Sequence, residues 1–210
     1  MDSGYFACLF VGMAVIVAGS CKGPGPKKIG DATLAPLAAG GATLPESARD
    51  APVVVILPGQ KAEIPDAVET VKLAIDRKVP YSEVKALVTK MHELGQTPIL
   101  LVAERQKVKE LHLTEELYGP PIYVYAKREG KLCVGHPQAI EQKCTQTVSK
   151  KYIDGAHTRE LVREAVLGYE RQNVEVELEA GLIWGDVVTA VGATRSCCGD
   201  RAIRVKVVEG

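Results

Sequence analysis

A pattern of strand, tight turn, amphipathic helix and helix-ending glycine occurs twice in this chain. It restricts the fold more than any other feature. The first copy is "LAIDRKVPYSEVKALVTKMHELG", Leu73 to Gly95, and the second is "VELEAGLIWGDVVTAVGATRSCCG", Val176 to Gly199. In the first, Val71, Leu73 and Ile75 alternate with Lys72 and Ala74, the period of a strand with one face in the core. Val84, Leu87, Val88 and Met91 follow at helical spacing. Ser82 stands where an N-cap is expected, and Gly95 can take the left-handed conformation that ends a helix. "PILLV", Pro98 to Val102, has the continuous apolar character of a strand buried on both faces. Strand, helix and strand with short links predict a parallel pair joined by a right-handed crossover.

The second copy keeps this order. Val174, Val176 and Leu178 alternate with Glu175 and Glu177, and Trp184 takes the place of Tyr81. Val187, Val191 and Thr194 continue the stripe, Gly199 closes it, and "AIRVKVV" supplies the next strand. Before the first copy, "VVVIL" (Val53 to Leu57) is a short strand stopped by Pro58 and Gly59. Between the copies, "RQKVKELHLTEELYG" has the mixed charge of a solvated connector, and "PIYVYAK" and "KLCVG" flank a "REG" turn as a hairpin. Next, Leu161, Val162, Ala165, Val166 and Tyr169 form a helical face that Thr158 can cap. The expected fold is α/β of the α+β-like kind: small mixed sheets with helices packed on one face, in halves spanning 53–118 and 119–210.

The segment "VKLAIDRKVPYSEVKALVTKMHELGQTPILLV" is similar to the periplasmic domain of the ExbD/TolR family. The residues that carry the resemblance are Asp76, Val79, Pro80, Tyr81, Val84 and Gly95. The second copy offers Glu179 for the Asp, Leu182-Ile183-Trp184 for Val-Pro-Tyr, and Val187. The likeness is good over this segment and loose from Ile122 to Val208. It implies two divergent ExbD/TolR-like halves, each with helices on one face of a mixed sheet. It also implies a non-enzymatic, cofactor-free protein that can dimerise. The implied partner is a motor or transport subunit of a proton-driven biopolymer transport or envelope-integrity system. One departure narrows this role: family motor subunits carry a membrane Asp behind a cytoplasmic tail. Here the only acidic residue near the apolar run is Asp2, at the chain end. An accessory or binding component is therefore expected, with cell-wall anchoring as the alternative.

The N-terminus sets the expected location. "MDSGYFACLFVGMAVIVAGSC" is apolar from Tyr5 to Ala18, and small residues then lead into Cys21. This is the layout of a secretory signal peptide over 1–20. "VAGSC" resembles the lipobox of bacterial lipoproteins, which implies lipidation of Cys21 and a membrane-anchored protein on the periplasmic side of the envelope. An uncleaved anchor stays open, because the uncharged run from Ser3 to Cys21 spans roughly 28 Å as a helix. The charges oppose export: Lys22, Lys27 and Lys28 all follow the run. From 21 to 52 the chain is rich in Gly, Pro, Ala and Ser, the composition of a flexible tether.

Lys and Arg number 26 and Asp and Glu 26, so no net positive field argues for nucleic acid. Cys133, Cys144, Cys197 and Cys198 are disulfide candidates in an exported chain, with three pairings open. A redox role for the adjacent pair Cys197-Cys198 is the minor alternative, as no C-x-x-C motif occurs. Cys133, His136 and Cys144 match no zinc spacing, so no metal is expected. No phosphate loop, nucleophile elbow or paired-carboxylate motif appears, and no catalytic residue is assigned. Positions that chemistry needs differ between the copies, Asp76 against Glu179 and His92 against Arg195. Asp76→Asn is thus expected to leave folding and partner binding largely intact.

Overall fold

The computed structural model describes residues 26–66, 68–112, 122–126, 131–135, 143–146, 155–166, 174–179, 181–198 and 203–208. In chain order the elements are β1 (Lys28–Ile29), β2 (Ala32–Thr33), β3 (Val53–Ile56), β4 (Thr70–Ile75), α1 (Tyr81–Glu93), β5 (Thr97–Glu104) and β6 (Lys107–Glu110). There follow β7 (Ile122–Ala126), β8 (Lys131–Gly135), β9 (Lys143–Gln146), α2 (Gly155–Val166), β10 (Val174–Glu179), α3 (Trp184–Cys198) and β11 (Ile203–Val208). Strands β1 and β2 form a small antiparallel ribbon.

Two mixed sheets carry the fold. The first has the order β3-β4-β5-β6, with β3, β4 and β5 parallel and β6 antiparallel. The second has the order β11-β10-β7-β8-β9, with β11, β10 and β7 parallel and the β8-β9 pair antiparallel. In each, three parallel strands lie side by side, and one helix links the middle strand to an outer one. Helix α1 runs between β4 and β5, and α3 between β10 and β11. A parallel connection needs such a crossover. Helix α2 lies against β7, β8 and β9, α3 lies against β10, and the two helices pack along each other.

Several local expectations give way. The stretch read as a solvated connector contains β6, which folds back on β5 through Arg105 and Gln106, both left-handed at φ 45° and 67°. Such turns normally announce themselves by Asn-Gly or Gly, and neither residue is present. Strand β9 was equally hidden by its short polar sequence. Helix α1 starts at Tyr81, ahead of Ser82, and its cap position, Pro80, makes no side-chain capping bond. Thr158 is buried inside α2 instead of preceding it.

One connected apolar cluster joins the two sheets. Val71, Leu73, Ile75, Leu100 and Val102 of the first sheet meet Tyr81, Val84 and Met91 of α1, and the cluster continues through Trp184, Val187 and Val191 to Val162 and Val134. A second cluster covers the other face of the first sheet, where Ala74, Ile99 and Leu101 pack against Leu34 and Ala48. The tether reading of 21–52 is therefore corrected for residues 26–52, which are packed onto the sheet. A strand buried on both faces needs apolar cover, and this segment provides it with few large residues. Its small residues let the main chain approach closely enough to hydrogen-bond. Leu37 N–H donates to Ala103 O (2.8 Å), and Ala42 and Glu110 exchange both of their bonds (2.9 and 3.0 Å). The signal-peptide reading of 1–20, with Cys21, lies outside the described residues. Among the described residues no helix is long and apolar enough to cross a membrane.

Candidate functional site at the joint of the two helix starts

The residues singled out by the repeated pattern meet in space. After β4, the chain turns through Asp76, Arg77 and Lys78, runs extended at Pro80 (φ −55°, ψ 134°) and enters α1 at Tyr81. Leu182 and Ile183, just before α3, lie antiparallel to this segment, with Pro80 opposite Ile183. Tyr81 N–H donates to Leu182 O and Trp184 N–H donates to Val79 O, both at 2.8 Å. The two bonds are reciprocal, so the contact has a local two-fold axis. Each helix thereby has its first amide, which lacks an intrahelical acceptor, satisfied by a carbonyl from the other segment. Pro80 and Ile183 form the non-hydrogen-bonded pair at the centre. A proline without an N–H is tolerated there because the ladder asks for none.

The side chains close the joint. The rings of Tyr81 and Trp184 stack at 15° with centroids 6.4 Å apart, within the range of favourable offset pairs. Trp184 is 0% exposed and Val79 and Leu182 are buried. Gly185 N–H donates to Arg77 O at 2.8 Å, and a Cβ at Gly185 would stand 3.0 Å from that same oxygen. Any larger residue at 185 would press on that carbonyl and push the α3 start away by a few tenths of an ångström. Gly95 ends α1 with φ +72°.

Burial pushes the Tyr81 phenol up from 10.0 to about 12. Below about pH 10 both folded and unfolded chains keep this proton, and the group adds no pH dependence. Between about pH 10 and 12 the unfolded chain ionises while the folded protein must hold the proton, so stability falls as pH rises. The loss should reach about 1–3 kcal/mol near pH 12. Urea midpoints at about pH 9 and about pH 11.5 should fall further in the parent than in Tyr81→Phe. Equal falls would show that the hydroxyl is not desolvated.

Asp76 has a structural task. It is 8% exposed, and its Oδ2 accepts Thr33 N–H (2.8 Å) while Oδ1 accepts Lys78 N–H (2.9 Å). The carboxylate thus ties the N-terminal segment to the turn before α1. This corrects the expectation that Asn is a neutral replacement, because one of these two amides would face the Asn NH₂, which has nothing to accept with.

Beside the joint lies a cavity of about 300 Å³ lined by Pro36, Arg77, Lys78, Ile183, Asp186 and Thr189, together with Gly185. Arg77 and Lys78 are exposed and Asp186 is buried. The Thr189 hydroxyl donates to Gly185 O (2.8 Å), so its proton is engaged in the helix. Cys133 is buried and disulfide-bonded, and the backbone register sets Cys144 opposite it on β9. Cys197 and Cys198 fall in the last turn of α3. The side chains of Cys144, Cys197 and Cys198 lie outside the described residues. Among the described residues no three metal-type side chains cluster.

The chain matches no family model. Comparison with curated proteins and with solved structures likewise gives no match. The sequence pattern pointed to Asp76, Val79, Pro80, Tyr81 and Trp184, which the fold brings together, and to Gly95, which lies at the far end of α1. It missed Arg195, noted only as a mismatch with His92, and it missed Gly185 as a point of close approach. A glycine directly after the aromatic helix start was the available signal for the latter.

Proposed function

We propose that this chain is an envelope lipoprotein whose folded part is a non-enzymatic binding scaffold of two ExbD/TolR-like β-α-β halves. It serves as an accessory component of an ExbB/ExbD- or TolQ/TolR-type transport or envelope-integrity system. The observation that carries this reading is the joint. The positions matched between the copies, Val79-Pro80-Tyr81 and Leu182-Ile183-Trp184, pair with each other through reciprocal bonds. Like-with-like contact about a two-fold is how identical subunits associate. One chain with two halves makes in cis the contact that a homodimer makes between subunits. The shared residues are used up in packing, which favours a scaffold over a reaction site.

The anchor and the partner are tested on protein isolated from native membranes. Mass spectrometry should find a mature chain that begins at diacylated Cys21. Cross-linking before extraction should retain a proton-channel subunit of the ExbB or TolQ type. An intact Met1 on the membrane-bound protein refutes the lipoprotein part, and cross-linked complexes without any such subunit refute the accessory role.

A further inference from the structure

The N-terminal segment bridges the first sheet and α3, and both grip it mainly by its main chain. On the sheet side, Glu104 Oε2 accepts Gly41 N–H (2.8 Å), and Ala35 and Leu37 bond to Ala103 (3.0 and 2.8 Å). They use the edge of β5 beyond the last residue that β4 pairs, since the β4–β5 register ends at Ala74 and Leu101. On the helix side, Arg195 donates through Nη1 to Gly40 O (2.8 Å) and through Nη2 to His112 O (2.6 Å). One guanidinium therefore clasps the segment and the chain beyond β6 together. Its planar fork suits two acceptors held at a fixed separation.

Glycines mark the contact. A Cβ on Gly192 of α3 would stand 2.7 Å from Leu37 Cδ1 and 3.0 Å from Ala38 N. A Cβ on Gly40, at φ +83°, would stand 2.6 Å from Arg195 Cδ. The helix thus gives up side-chain volume, at a cost of about 1 kcal/mol for glycine in its interior, where the segment crosses it.

We infer that residues 33–43 form a releasable strap, latched by Arg195, that opens as a unit while both sheets stay folded. Of the strap's side chains only Leu34 and Leu37 are large and buried. The rest of its hold is the Asp76 and Arg77 bonds to Thr33, the main-chain bonds to Ala103 and Glu110, and the solvent-exposed fork of Arg195, so its release costs less than global unfolding. Its release bares the Ala74, Ile99 and Leu101 face of the first sheet, which Leu34 covers. The same step removes a brace between that sheet and α3. The strap is thus a conformational device that sets how firmly the two sheets are coupled. It does not depend on whether the chain is lipidated.

Hydrogen exchange on the full chain, read by mass spectrometry, tests the strap. In the parent protein, residues 33–43 should exchange at least about tenfold faster than β4 and β5. Arg195→Ala removes two charge-assisted bonds and should speed strap exchange by about tenfold or more, leaving β4 and β5 unchanged. Gly192→Ala gives the complementary reading. Alanine is the better helix residue, so α3 itself gains, yet its Cβ presses on Ala38 and should loosen the strap selectively. The inference is overturned if the strap and β5 exchange together in the parent. It is equally overturned if the two variants speed every segment alike, or leave the strap unchanged.

Discussion

Replacing Trp184 by Ala should lower the unfolding free energy by about 3–5 kcal/mol, one of the two largest single-residue effects expected in this protein. The ring is 0% exposed and belongs to the cluster shared by α1, α3 and the first sheet. Deleting it removes apolar contact from both sides of the joint at once, and the helices that frame the hole are held by reciprocal backbone bonds. They cannot easily collapse to fill it. Trp184→Phe should be much milder. The indole Nε1 is buried and has no hydrogen-bond partner among the described residues, and an unpaired buried donor carries a desolvation cost of about 1–3 kcal/mol that phenylalanine avoids. Because Tyr81 stacks on this ring, the Tyr81→Ala, Trp184→Ala cycle should show a coupling of about 0.5–1.5 kcal/mol. Denaturant midpoints of the four proteins measure all of this. A loss below about 1 kcal/mol for Trp184→Ala would mean that the joint does not hold the two sheets together.

The parts of this architecture that sequence reveals are those governed by period. The alternation of Val71, Leu73 and Ile75 and the stripe Val84, Leu87, Val88 and Met91 mark β4 and α1 without ambiguity, because burial imposes periods of two and 3.6 on them. That Tyr81 and Trp184 stand at helix starts was also visible. Their mutual contact was not, since a two-fold pairing of two distant segments leaves no period in either. The N-terminal segment misled for a different reason. Its Gly and Ala content suits a flexible tether, but small residues also let a main chain lie close against a helix, as Gly192 and Gly40 show. Composition cannot separate these two uses of glycine. The β5–β6 turn failed because Arg105 and Gln106 adopt φ > 0 without the residues that usually signal it. In the candidate site, Asp76, Val79 and Pro80 drew notice through resemblance, whereas Arg195, and Asp76 in its bond to Thr33, act on main-chain atoms far away in sequence. Those distant ties could not be read from the neighbouring residues.

Asp76 gives the second large effect. Asp76→Ala should cost about 3–5 kcal/mol, because two hydrogen bonds to a charged acceptor are worth about 1.5–3 kcal/mol each. The carboxylate is mostly buried, and both its oxygens accept backbone amides, from Thr33 at 2.8 Å and Lys78 at 2.9 Å. The Lys78 bond closes an Asx-type turn that aims Val79 and Pro80 at the α3 start. The Thr33 bond fastens the N-terminal segment, alongside Arg77 N–H to Thr33 O (2.9 Å). Asn is close in shape, so it isolates the charge and the second acceptor. One amide can still bond to its oxygen while the other meets a donor, and the expected loss is about half that of alanine. The two acceptors also predict where the damage falls. In Asp76→Asn, hydrogen exchange at Thr33 or at Lys78 should rise selectively, identifying the amide that lost its partner, before β5 is affected. If Asp76→Asn matches the parent in urea midpoint and in exchange at both amides, the carboxylate is not the tie described here.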